Sequence, residues 1–120
     1  MSEENSQIRF HDNLKIKMDN HVNYVYDLSK KFPKDELYGI TSQLRRAVIS
    51  IILNYIEGFA RRRQKVLKNF LEISYGSLKE TKYLLYFSYK RTWINKEEYN
   101  TAIDQADEIG KMLWGILIKL

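Results

Sequence analysis

Apolar residues return every three or four positions from Leu14 to Leu120, and a single proline, Pro33, interrupts them. That period matches the α-helical turn. No stretch alternates with period two between closely spaced turn signals, so a strand-built core is excluded. At 120 residues the chain is one domain, long enough for folding to hide about two-thirds of its surface.

The pattern divides into four segments. The first spans about Asp12 to Lys31, with Leu14, Met18, Val22, Val25 and Leu28 on one face. Phe32-Pro33 ends it, because the residue before proline is pushed out of helical geometry. Asp35 is placed to cap the second, from about Glu36 to Ala60, whose face is Leu37, Ile40, Leu44, Val48, Ile51 and Tyr55. The third runs from about Gln64 to Lys90, and its small residues Ser74, Gly76 and Ser77 suit close approach by a neighbour. The fourth opens on Asn95 with Glu98 three positions on, the pattern of a capping box. Four amphipathic helices with short connections predict an all-α fold, an up-down-up-down four-helix bundle over residues 12–120. Residues 1–11 then form a flexible N-terminal arm.

The second and third segments carry more apolar side chains than one core stripe needs. Ile49, Ile52 and Leu53 lie off the core face of the second; Tyr75, Tyr83, Tyr86, Phe87 and Tyr89 widen the third. That surplus predicts a homo-oligomer.

Charge narrows function further. The net charge is +5, and residues 45–68 supply all the excess, with seven basic groups against the single acid Glu57. A field of this sign attracts polyanions or acidic protein surfaces. The residues expected to meet nucleic acid are Arg45, Arg61, Arg62, Arg63, Lys65 and Lys68. With no base-reading motif, contact falls on backbone and shape.

The chain has no Cys and two His, too little for a thiolate nucleophile or most metal sites. There is no glycine-rich phosphate loop and no Ser/His/Asp set, so neither catalysis nor a cofactor is expected. No apolar run reaches membrane-spanning length and the Met1-Ser2-Glu3-Glu4 start is no signal peptide. The expected location is the cytoplasm. Gln43, Arg46, Ser50, Asn54 and Glu57 form a polar stripe along the second segment, with Ser77 of the third opposite. Buried polar groups must satisfy one another, so this set is expected to be a structural network. Arg46 and Glu57, three turns apart, each require a partner on another helix or subunit.

The stretch Phe32-Pro33-Lys34-Asp35-Glu36-Leu37-Tyr38-Gly39-Ile40-Thr41-Ser42-Gln43-Leu44-Arg45-Arg46-Ala47-Val48-Ile49-Ser50, continuing through Asn54, Glu57-Gly58 and Arg61 and returning at Gly76-Ser77 with Glu80, resembles the signature of the four-helix-bundle proteins encoded in 23S ribosomal RNA intervening sequences. It is also similar to the accessory variability proteins of diversity-generating retroelements. The resemblance implies a bacterial homopentameric ring and, for the retroelement branch, binding of nucleic acid and of a reverse transcriptase through basic surfaces. The chain departs from the common pattern at Ile52-Leu53 and Tyr55-Ile56, changes that keep helix and bulk but alter surface contacts. Together these readings predict a non-enzymatic, self-associating bundle that binds RNA or DNA. The alternative is a protein–protein scaffold, or a self-associating bundle with no nucleic-acid ligand.

Overall fold

The computed structural model describes residues 2–120. Four helices follow in order: α1 (Glu3–Ser29), α2 (Ile40–Phe59), α3 (Gln64–Lys90) and α4 (Lys96–Leu117), with a 3₁₀ turn at Lys34–Glu36. No strand occurs among the described residues. Each short connection reverses the chain, and every helix packs against two neighbours in a closed cycle, most extensively α2 on α3. The result is an all-α up-down-up-down four-helix bundle.

The core follows the apolar stripes. Leu14, Met18, Val25 and Leu28 of α1 meet Leu44, Val48, Ile51 and Tyr55 of α2. Leu71, Leu78 and Leu85 of α3 and Ala102, Ala106, Ile109 and Leu113 of α4 close it. Each fully buried leucine or isoleucine stabilises the fold by about 1.5–3 kcal/mol relative to exposure.

Two boundaries differ from the sequence expectation. Residues 3–11 continue α1 where a separate arm was expected from residues 1–11. Ser2 caps the helix by accepting from the Asn5 N–H at 3.3 Å, Glu3 and Glu4 suit the positive pole, and no breaker follows. Met1 lies outside the described residues. The second helix starts at Ile40, four residues late, because Gly39 leaves the helical path between the 3₁₀ turn and α2. Glu36, not Asp35, does the capping: its Oε1 accepts from the Ile40 N–H at 3.3 Å. Leu37 consequently falls off the core face and is exposed.

The start of α4 matches the expectation fully. Asn95 accepts from the Glu98 N–H at 2.8 Å while Glu98 accepts from the Asn95 N–H at 2.9 Å. The close approach of α2 and α3 does not involve Gly76, which faces open space. It occurs, as expected, at Ser74 and Ser77, whose hydroxyls reach the Ile51 carbonyl and Ser50 Oγ, and also at Gly58, where a Cβ would lie 3.0 Å from that of Phe70 and 3.2 Å from Leu67 Cδ1.

Candidate nucleic-acid interface

The basic cluster is built by the α2–α3 turn. Gly58 lets the first two turns of α3 lie against the last turn of α2, so residues 60–63 can close the reversal. Arg61, Arg62, Arg63, Lys65 and Lys68 therefore share one end of the bundle, and all five are exposed. Arg61 pairs with Glu57 and lies 5.2 Å from the Phe70 ring centroid. This corrects the expectation for Glu57, whose partner comes from the adjoining turn, not from another helix or subunit. Arg62, Arg63, Lys65 and Lys68 meet no carboxylate among the described residues.

Sequence reasoning missed one contributor. Arg63 sits at the N-cap of α3 and provides no side-chain cap, so the positive pole of that helix opens into the cluster. The signal was legible: Ser, Thr, Asp and Asn, the residues that close such ends, are absent from positions 61–63.

Arg45 is not part of this surface. It lies sixteen residues before Arg61, roughly 24 Å along the helix axis. Its Nε donates to Ser29 Oγ at 2.9 Å, and its guanidinium lies 5.1 Å from the Tyr26 ring centroid. Ser29 in turn donates to the Tyr26 carbonyl at 2.7 Å. Arg45 thus joins α2 to the end of α1.

The polar stripe resolves into a tight centre and loose ends. Ser50 and Ser77 share a hydrogen bond at 2.8 Å, and Asn54 Nδ2 donates to Ser50 Oγ at 2.8 Å and to its carbonyl at 2.9 Å. Ser74 Oγ, buried, donates to the Ile51 carbonyl at 2.6 Å. Gln43 and Arg46 are exposed and their side chains meet no partner among the described residues, so they stand outside the network.

Each histidine bonds to another helix. His11, expected in the arm, is in α1; its Nδ1 is hydrogen-bonded to Tyr55 Oη and its ring packs on Phe59 at 4.7 Å. Partial burial and Lys15 lower its pKa, while burial raises that of the Tyr55 phenol, so the pair is a neutral tie between α1 and α2. His21 is fully buried, with Nδ1 2.9 Å from Gln105 Oε1 of α4. Burial lowers its pKa, against a smaller opposing effect of Gln105. No group of three His, Cys, Asp or Glu able to hold a metal occurs among the described residues. No helix among them is long and apolar enough to cross a membrane.

Apolar side chains are exposed on α2, α3 and α4. Ile49, Leu53 and Ile56, at helical spacing on the outer face of α2, are exposed. So are Ile73, Tyr83 and Tyr86 of α3 and Trp114 and Ile118 of α4.

The model of the 23S rRNA-intervening sequence protein family matches residues 14–115. The fold is similar to that of a protein of unknown function from the S23 ribosomal protein family of Bacteroides thetaiotaomicron, with a TM-score of 0.80 and 24% identity, covering 87% of this chain and 97% of that one. At that identity the likeness speaks for the fold alone. No curated protein matches significantly.

Proposed function

Because the chain belongs to the 23S rRNA-intervening sequence protein family, we propose that it is a non-enzymatic, homo-oligomeric bundle whose basic end binds the backbone of RNA or DNA. The observation that carries this reading is the group of four exposed cations, Arg62, Arg63, Lys65 and Lys68, with no carboxylate to neutralise them, gathered at an uncapped helix start. Exposed Ile49, Leu53 and Ile56 support self-association, since a continuous apolar stripe on an outer helix face is what a second copy would cover. In a ring, pentameric as the family resemblance implies, the basic ends repeat around the axis and multiply affinity. The resemblance of the Phe32–Ser50 stretch to the family signature, with the retroelement accessory proteins placed in that family, extends the proposal to a reverse transcriptase as protein partner.

Fluorescence anisotropy with single-stranded and duplex oligonucleotides over a salt series tests the reading. A subunit engaging four phosphates gives a log–log salt slope of about −3 to −4. R61E/R62E/R63E abolishes binding and leaves helicity and native mass unchanged. Equal affinity before and after at low salt overturns nucleic-acid binding and favours the scaffold alternative. A stable monomer in native mass spectrometry overturns the assembly.

A further inference from the structure

We propose that the cleft where α1 ends and α2 begins is a binding site for a phosphate-type oxyanion. The cleft holds about 250 Å³ and is lined by Ser29, Lys30, Lys34, Thr41 and Arg45, with Phe32 at its apolar side. That is roughly eight times the volume of one water in the liquid, room for a tetrahedral anion.

Arg45 is the first observation. It is half-buried, yet no carboxylate faces it. Its Nε is occupied by Ser29 Oγ and its plane is held beside the Tyr26 ring. The guanidinium is thus fixed through one nitrogen, and neither Nη group meets a protein acceptor among the described residues. A planar fork held in this way matches the bidentate geometry of phosphate oxygens.

Thr41 is the second, independent observation. It is 3% exposed and its Oγ1 has no hydrogen-bond partner. An orphaned buried hydroxyl carries a desolvation cost that natural structures seldom leave uncompensated. Thr41 stands one helical turn before Arg45, so the two share a face of α2 and a wall of the cleft.

The surroundings agree in sign. Gly39, at the N-cap of α2, offers no side-chain cap, and the Thr41 and Ser42 N–H groups meet no acceptor among the described residues. The positive pole of a 20-residue helix adds to Lys30, Lys34 and Arg45. The nearby acids are engaged: Asp27 pairs with Lys30 at 3.2 Å, and Glu36 accepts from the Ile40 N–H. Asp35 is exposed on the 3₁₀ turn. Lys34 and Arg45, by contrast, meet no carboxylate among the described residues, and an anion in the cleft would give both a counter-charge.

The site is independent of the Arg61–Lys68 surface at the far end of α2. Two sources carry the chemistry it recognises, a free phosphate anion and the terminal phosphate of a nucleic-acid strand. Titration of the full chain with inorganic phosphate, read by amide NMR against sodium chloride at matched ionic strength, tests it. Saturable shifts are expected at Thr41, Ser42 and the Arg45 Nε–H. R45Q weakens binding about tenfold or more. T41V, which exchanges the hydroxyl for a methyl group, weakens it about threefold. T41V carries the test alone if R45Q does not fold. R61E/R62E/R63E leaves the phosphate response unchanged, which separates this site from the proposed nucleic-acid surface. In that triple variant, tighter binding of a 5′-phosphorylated than a 5′-hydroxyl oligonucleotide, removed by T41V, assigns the site to a strand end. Saturation by inorganic phosphate with no such preference assigns it to a free anion. Equal shifts from chloride, or T41V titrating as the unaltered chain does, overturn the proposal.

Discussion

At the N-terminal end of α2, Arg45 is half-buried, bonded to Ser29 and set against Tyr26. At the C-terminal end, Arg62 and Arg63 stand in solvent with no acid beside them. One side-chain type, at two ends of one helix, does two kinds of work. The first arginine joins helices and shapes a cleft; the others make a field. The difference arises from what faces each end. α1 presents Ser29 and Tyr26 to Arg45, while the reversal into α3 carries Arg62 and Arg63 past the end of α2 into solvent.

The largest effect is expected where the bare end is built. G58A should cost about 1–3 kcal/mol in chemical denaturation, since the added methyl meets the Cβ of Phe70 and the side chain of Leu67. At the other end G39A meets Glu36 Oε1 at 2.9 Å, the tip of a flexible side chain, so its cost should stay below about 1 kcal/mol. Equal costs would erase the contrast between a packed and an adjustable glycine. Next in size is R45A, expected to lose about 1–2 kcal/mol through its hydrogen bond and its packing on Tyr26. R62A and R63A should each stay within about 0.5 kcal/mol. A large loss for either would show that the bare arginines are held after all.

E57Q should shift stability by less than about 0.5 kcal/mol, because the Arg61 pair is exposed. Releasing Arg61 should nevertheless tighten oligonucleotide binding a few-fold at low salt, roughly the effect of one added phosphate contact. His21 and His11 both have folded-state pKa values below the ordinary 6.5. The unfolded chain therefore binds more protons as the medium acidifies. Stability is fully present above pH 6.5 and falls as pH drops through and below it. H21Q should flatten much of that fall in urea titrations from pH 7 to 4.5, and an unchanged profile would show that His21 is not its source.

Much of this architecture could be read before any coordinates. Leu14 to Leu28, Leu71 to Leu85 and Ala102 to Leu113 mark their helices because period and burial coincide. Asn95 and Glu98 mark a start because their bonds are local. What could not be read depends on distance along the chain. His21 meets Gln105 across 84 positions, and Arg45 is held by Ser29 across sixteen. The roughly four turns between Arg45 and Arg61 are legible in the sequence, but the side chains that hold Arg45 are not. Gly76 resembles a contact point by composition, but only the azimuth of the neighbouring helix decides that Gly58 is one. The early start of α1 was legible in Ser2, Glu3 and Glu4, whose bias toward a helix start outweighs the polarity of residues 3–11.

The two hydroxyl bridges between α2 and α3 have a mechanical consequence. A translation of α3 along α2 by one full turn, about 5.4 Å, takes Ser74 off the Ile51 carbonyl and Ser77 off Ser50 together. The two bridges thus hold the register of α3 on α2 at adjacent turns.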